Sequence, residues 1–559
     1  MAKTNQDRKA LKQKGRGQWS GRVGFILAAS GSAIGLGNLW KFPYITFENG
    51  GGIFVIAYLA CIILIGLPIM ISEVSLGKLS QKNPIGAFKS LDGIRSPFRW
   101  VGILGVMSGF VILSYYSVVA GWSIENSINA IKGEYTSVKK ADIDKMLKSP
   151  KGLKVVREKA FNQALQNSLK QEVKLQLLRD ANILKKNSIV KLYPSKVNKL
   201  FNNNKNTLAI SLSQNGLLVK WQSHFFALKT QNKNYKLWIE KQLLPLHSSN
   251  LFSTFYSNKF KMTLWHSVIM LLVFLIVVGG IRNGIERVTK FFMPILLLLI
   301  VFIAINSLML DKENLGIKFL FSGDFSKFKG TSALEALGHA FFTLSLGMGA
   351  IMTYGSYLDK KTNIITNSIW IVSLDTAIAL LACLMIFPIL FINNMHGSEG
   401  VGILFTALPV EMAKFSLGKW LTLLFYILIF LAALTSAISL LEVVVSAFVD
   451  ELKVSRLKAA SIVSLIIYIF GVPSALYPDQ FLGWADKIAS NIMLPLGGLL
   501  IAIFVGYKMK KDKLKQEFID AKVSLKWYKA FMISVRFISP ILVLFVLYYL
   551  VQKEFIEKL

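Results

Sequence analysis

The stretch Gly31-Ser-Ala-Ile-Gly-Leu-Gly-Asn-Leu-Trp-Lys-Phe-Pro43 lies inside a long apolar segment that begins near Gly21. Three glycines, a serine and an asparagine stand where a membrane-spanning helix favours Leu and Ile. Each glycine costs about 1 kcal/mol of helix stability relative to alanine. In hydrocarbon, irregular backbone persists only where protein buries it or where it lines a polar cavity. These residue types predict a helix broken near mid-membrane, its freed carbonyls and the Asn38 amide turned toward a polar occupant. A close helix contact through small residues is the other reading, but such a seam needs neither Asn38 nor Pro43. The segment Gly338–Ala350 repeats the anomaly, with Thr343, Ser345, Gly347 and Gly349 clustered in mid-segment. Asp375 and Glu442 are carboxylates within apolar runs, where ionisable groups are costly and functional by default. No nucleophile–base pair or metal-binding constellation is legible, which disfavours an enzyme.

The elements that must hold these residues are apolar helices. The 559 residues are 53% hydrophobic with a mean hydropathy of +0.50. Runs of roughly 20 apolar residues read as membrane spans. Candidates are about 21–44, 52–77, 100–130, 262–281, 288–309, 334–357, 364–392, 420–448, 457–477, 488–508 and 530–551. The fold class expected is therefore an all-α polytopic membrane protein of about eleven spans. The net charge of +33 would suggest nucleic acid in a soluble chain; here loops and one insertion account for it, and no nucleic-acid partner is expected. Lys78, Lys82, Lys89, Arg95 and Arg99, then Arg282, Arg287 and Lys290, then Lys360 and Lys361, then Lys453, Arg456 and Lys458, then the run Lys508 to Lys526 fall on one side. By the positive-inside rule this side is cytoplasmic, with the N-terminus inside and the C-terminus outside. The basic N-terminus precedes an apolar segment too long for a cleavable signal peptide. Cys61 and Cys383 read as small buried hydrophobes.

Residues 132–260 break the rhythm: they are polar and rich in Lys, Asn and Gln, with a helical stretch from Val155 to Leu184 and the tract Asn202-Asn-Asn204. Span parity places this insertion outside, and loops of this length translocate regardless of charge. Two readings stand: a part-helical, part-disordered decoration of the outer face, or a docking element for an unknown partner or anionic lipid.

Two breaks at corresponding places, in the first and sixth spans, point to an inverted-repeat transporter with its site at the membrane midplane. The motifs Trp19 with Arg16, Gly31-Ser-Ala-Ile-Gly-Leu-Gly-Asn38, Phe42-Pro43, Glu48-Asn-Gly-Gly-Gly52, Tyr115-Tyr116, Gly284-Ile-Glu-Arg287, Phe341-Phe-Thr-Leu-Ser-Leu-Gly347, Leu434-Thr-Ser436 and Asp450-Glu-Leu452 resemble the neurotransmitter:sodium symporter family, of the bacterial leucine-transporter type. The resemblance covers nearly all of the chain except the insertion. It implies two inverted five-helix repeats with discontinuous first and sixth helices, plus an eleventh helix. The divisions expected are 1–131 (helices 1–3), 132–260 (insertion), 261–310 (helices 4–5), 311–510 (helices 6–10) and 511–559 (cytoplasmic loop and helix 11). It also implies a bacterial inner (plasma) membrane, a small amino-acid substrate and two sodium ions.

For the first sodium the resemblance implies the Ala33 carbonyl, Asn38, Thr343 and Asp375. For the second it implies the carbonyls of Gly31, Ile34 and Ala432 and the hydroxyls of Thr435 and Ser436. Oxygen donors suit a hard cation; back-bonding of Thr435 and Ser436 to their own helix is the other reading. Asp375 departs from the family's usual asparagine, and Ala379 stands one turn on. A fixed carboxylate implies that chloride is not needed, and it gives a group that can titrate for linked proton antiport. The implied substrate pocket is Ser32, Ala33, Leu36, Gly37, Ile112, Tyr116, Phe342, Thr343, Ser345, Met348, Ser436 and Leu440. Without a carboxylate at position 32, and with flexible Met348 in an apolar pocket, the expected substrate is a neutral, hydrophobic or aromatic amino acid. The implied outer gate is Lys41 with Asp486 under a lid of Tyr116 and Phe342; Lys41 replaces an arginine and cannot make its bidentate fork. The implied inner gate is Arg16 with Asp450, with Trp19 and Tyr357 beside it. Gly284 and Pro294 mark a fifth span that can unwind, or an ordinary kink. His339 reads as pore-lining or structural, and Glu442 receives no role. A sodium-coupled symporter is the function expected; an amino-acid sensor that retains the site is the alternative.

Overall fold

The computed structural model describes residues 17–149, 151, 155, 209–213, 216–221, 224–229, 233–392, 402–415 and 417–552. The chain divides into two compact units, Met1–Lys132 with Ser253–Leu559, and Gly133–Phe252. In the first, the described elements are all helical. Helices α1 (Arg22–Ala33) and α2 (Gly37–Glu48) are halves of one apolar span, bent by 52° at its break. Then come α3 (Gly52–Ser80), α4 (Pro84–Asp92), α5 (Arg99–Lys132), α6 (Lys259–Val278), α7 (Ile281–Leu310) and α8 (Leu315–Ser322). The second half runs through α9 (Gly330–Thr343), α10 (Ala350–Gly355), α11 (Ile364–Ile392), α12 (Leu404–Ala413), α13 (Gly418–Leu452) and α14 (Arg456–Leu476). It closes with α15 (Pro478–Lys508), α16 (Lys511–Asp520) and α17 (Leu525–Tyr549).

Among the described residues nine helices are long and apolar enough to cross a membrane, and the bent α1/α2 pair makes ten. The expected span 334–357 folds as α9 and α10, neither long enough to cross alone, because the backbone between them leaves helical geometry. The expected span 488–508 begins ten residues earlier, at Pro478, where the proline opens the helix. Local chemistry sets the other ends. The Asn83 side chain accepts the N–H groups of Ile85 and Gly86 and caps α4, and Gln81 turns left-handed (φ 53°) to end α3.

Close backbone approach positions the second break. A Cβ on Gly77 of α3 would lie 2.0 Å from the Met352 carbonyl of α10, and one on Gly66 would lie 2.7 Å from Leu344. Helix α3 therefore lies directly against both sides of the α9/α10 break. Tyr58, Tyr354, Phe25, Phe42 and Phe341 are fully buried around the two broken helices.

In the second unit the described elements are the helix Lys140–Lys148, most of the helix Lys233–Ser257, and an antiparallel sheet. Its strands β1 (Ala209–Ser213), β2 (Gly216–Trp221) and β3 (His224–Lys229) pair in chain order, Ala209 opposite Lys220 and Val219 opposite Phe226. No strand was expected in the insertion. Nearly all of the expected helical stretch Val155–Leu184, and the Asn202–Asn204 tract, lie outside the described residues. Glu134 bonds Lys139 (2.7 Å) and His247 (3.3 Å), and Glu240 accepts the Val138 N–H (2.8 Å).

Candidate functional site

At the first break α1 stops at Ala33 and Ile34 adopts an extended conformation (φ −74°, ψ 102°). The Asn38 Oδ1 then accepts the Gly35 N–H at 3.0 Å, replacing a partner that the helix has lost. At the second break Ser345, Gly347 and Gly349 all have positive φ (55°, 80° and 74°). Two glycines take that conformation freely, whereas Ser345 is held there: its Oγ donates to the Ser32 carbonyl at 2.8 Å. The two breaks are thus tied to each other. Glu73 of α3, fully buried, accepts the Gly347 N–H at 2.7 Å.

Between the breaks lies Asp375 of α11, with no solvent exposure. Asn38 Nδ2 donates to its Oδ1 at 2.7 Å, Thr343 Oγ1 donates at 3.0 Å, and Tyr58 donates to Oδ2 at 3.4 Å. Every donor is neutral, and among the described residues no Lys, Arg or His lies within ion-pair distance. A carboxylate buried without a counter-charge is costly; the Thr343 hydroxyl oxygen lies beside it, while Asn38 turns its amide nitrogen to Asp375 and its oxygen to Gly35. The set can take a hard monovalent cation.

A second oxygen cluster forms where α13 meets α1. Ser436 Oγ lies 3.4, 3.2 and 3.3 Å from the carbonyls of Gly31, Ser32 and Ile34. Thr435 Oγ1 donates back to Leu431 and Ala432, both at 3.1 Å. That is the back-bonded arrangement, and it leaves the hydroxyl's lone pairs available to a cation. Gly31 permits the approach: a Cβ there would lie 3.1 Å from Met293 Sδ and 3.3 Å from Thr435.

All twelve residues expected around a substrate line one cavity of about 30 Å³, together with Gly35 and Ser439. Tyr116 accepts the Leu36 N–H at 3.3 Å. Above it a vestibule of about 690 Å³ is lined by Lys41, Tyr44, Glu48, Lys327, Lys329, Glu335 and His339, among others. The expected outer pair is not formed. Lys41 Nζ sits 4.9 Å from the Phe342 ring centroid, a cation–π contact. Asp486 instead accepts from Tyr115 (2.8 Å) and Ser490 (2.9 Å). Lysine is a point charge on a flexible stem and does not fix a fork-like latch. His339 is buried and stacks on Phe42 at 5.5 Å.

On the opposite side Trp19 donates to the Tyr354 carbonyl at 2.9 Å and meets Tyr357 edge-on at 6.2 Å. Asp450 accepts from Asn83 N and Nδ2 at 3.0 and 3.1 Å; its expected partner Arg16 lies outside the described residues. Glu442 acquires partners that sequence reasoning did not assign: Tyr357 donates to it at 2.6 Å, and Arg456 pairs with both its oxygens while also donating to the Val277 carbonyl. The fifth span is helical through Gly284 and Pro294. Tyr58, Glu73 and Ser439 were missed. Glu73 was legible, being a carboxylate inside an apolar run; nothing in the sequence aims Tyr58 or Ser439.

Two broken helices tied to each other, with two oxygen clusters and a cavity beside the breaks, define a membrane transporter built on discontinuous helices. The model of the sodium:neurotransmitter symporter family matches residues 16–178 and 186–557, and the chain belongs to that family: it is a sodium-dependent transporter, not an enzyme. A sodium-dependent transporter of Bacillus subtilis, YhdH, is 30% identical over 95% of this chain and 96% of its own length. One from Haemophilus influenzae is 27% identical over 95% and 97%. The crystal structure of MhsT in complex with L-phenylalanine shares the fold, with a TM-score of 0.70 and 32% identity over 95% of this chain and 99% of that one.

Proposed function

We propose that the protein is a symporter that couples sodium to import of a neutral amino acid, hydrophobic or aromatic in side chain, by alternating access and without chloride. The observation that carries this is Asp375, a buried carboxylate that, among the described residues, is met by neutral donors alone beside the cavity. The first sodium lies among the Ala33 carbonyl, Asn38, Thr343 and Asp375; the second lies among the Gly31, Ile34 and Ala432 carbonyls with Thr435 and Ser436. The substrate carboxylate lies near Leu36, Gly37, Tyr116 and the first sodium, since amides at a helix break favour an anion. The MhsT complex with L-phenylalanine supports the amino-acid class. The two repeats comprise residues 1–131 with 261–310, and 311–510, with the N-terminus cytoplasmic. Ion and substrate complete each other's sites, so coupling is direct. Each sodium moving inward down 100 mV contributes about 2.3 kcal/mol.

The test is a thermal-shift screen of the purified protein against the common amino acids, with and without sodium. Neutral apolar amino acids should raise Tm only when sodium is present. Stabilisation solely by compounds other than amino acids overturns the reading.

A further inference from the structure

The cavity wall holds six hydroxyls. Four have a place in the reading above: Thr343 and Ser436 beside the cation sites, Tyr116 at the carboxylate, and Ser345 as the tie to the Ser32 carbonyl. The remaining two bond each other. Ser32 Oγ donates to Ser439 Oγ at 2.7 Å, and Ser439 Oγ donates to the Ser436 carbonyl at 2.7 Å. Both residues line the cavity, and they are 2% and 1% exposed.

The direction of this relay matters. Ser439 spends its proton on its own helix and one lone pair on Ser32. Ser32 spends its proton on Ser439, so its oxygen presents acceptor capacity and no donor. Met348, Ile112 and Leu440 supply apolar wall to the same cavity. A buried acceptor with a lone pair left unpaired favours a ligand that brings a hydrogen.

We infer that Ser32, oriented by Ser439, is a specificity-determining acceptor that selects amino acids whose side chain carries a hydrogen-bond donor over isosteres that lack one. This rests on the amino-acid reading above and narrows it: an O–H or N–H on an otherwise uncharged side chain is preferred to a purely hydrocarbon one. Ser32 touches the substrate; Ser439 is a positioning residue that fixes which way the Ser32 proton points.

The test uses isosteric pairs, tyrosine against phenylalanine and threonine against valine, with affinities measured on the full-length protein in saturating sodium. Sites built to bond a substrate hydroxyl discriminate strongly against analogues without it. For whichever pair the cavity admits, the wild-type affinity ratio should be at least about 10-fold. Ser32→Ala should collapse that ratio toward unity, and Ser439→Ala, which frees the Ser32 proton to rotate, should reduce it. A wild-type ratio near one, or a ratio untouched in both variants, overturns the proposal while leaving sodium-dependent amino-acid binding in place. Absence of binding by every amino acid tested, with sodium present, overturns this proposal and the reading beneath it together. If Ser32→Ala does not fold, Ser439→Ala alone decides, because a merely structural serine would change both affinities and not their ratio.

Discussion

Asp375 sits among Asn38, Thr343 and Tyr58 as a buried carboxylate inside a spanning helix, where ionisable groups are costly. In Asp375→Asn, sodium-driven uptake should fall by roughly 10-fold or more, and added chloride should recover part of it. The comparison is uptake in chloride against gluconate medium. Wild-type transport that requires chloride, and still requires it in Asp375→Asn, would sink the chloride-independent reading. Glu442 is the contrasting case, paired with Arg456 and Tyr357 away from the cavity. Removing one partner of a buried pair strands the other charge, so Arg456→Gln should cost about 3 kcal/mol, read as a lower Tm. The asparagine and the carboxylate were legible because their types are anomalous in apolar sequence. Tyr58 and Ser439 were not, because a tyrosine or a serine in an apolar helix is ordinary and only the packing aims it.

At the scale of elements, glycines set the distance between α3 and the second broken helix. A methyl at Gly77 would meet the Met352 carbonyl at 2.0 Å, and one at Gly347, whose φ is 80°, would meet the Leu494 carbonyl at 2.2 Å. Gly77→Ala and Gly347→Ala should each abolish a monodisperse peak in size-exclusion chromatography. Gly21→Ala, where nothing lies within 4 Å, should leave the peak intact. Most spans were legible because about 20 apolar residues in a row permit little else. Their ends were not: α5 and α13 run one to four residues beyond their apolar runs at either end, and hydrophobic periodicity says nothing about a helix that is apolar all round. In the insertion, burial raises the Glu134 carboxyl, but hydrogen bonds and charge from Lys139 and His247 outweigh it and hold it below the usual value near 4.5. A depressed carboxyl stabilises above its unfolded value and loses that contribution as pH falls through the folded one. Amide-exchange protection over residues 134–139 should therefore fade below about pH 4.5, and Glu134→Gln should remove that dependence.

At the scale of the whole molecule, the chain carries its cavity within one compact unit, and residues 133–252 form the other. Replacing those residues with a short Gly/Ser linker should leave sodium-driven uptake in proteoliposomes. Loss of uptake in a folded, correctly inserted protein would instead favour a sensor whose output surface is the insertion. The vestibule has a consequence of a different kind. Lys41, Lys327 and Lys329 line it together with Glu48 and Glu335, an excess of positive charge in the mouth of a low-dielectric funnel. A zwitterion approaching such a mouth is turned carboxylate-first before it touches the protein, and the encounter is hastened by a field that mobile ions weaken. Capture, unlike retention, is then a property of the medium: adding an inert electrolyte at fixed sodium should slow association while leaving the dissociation rate nearly unchanged.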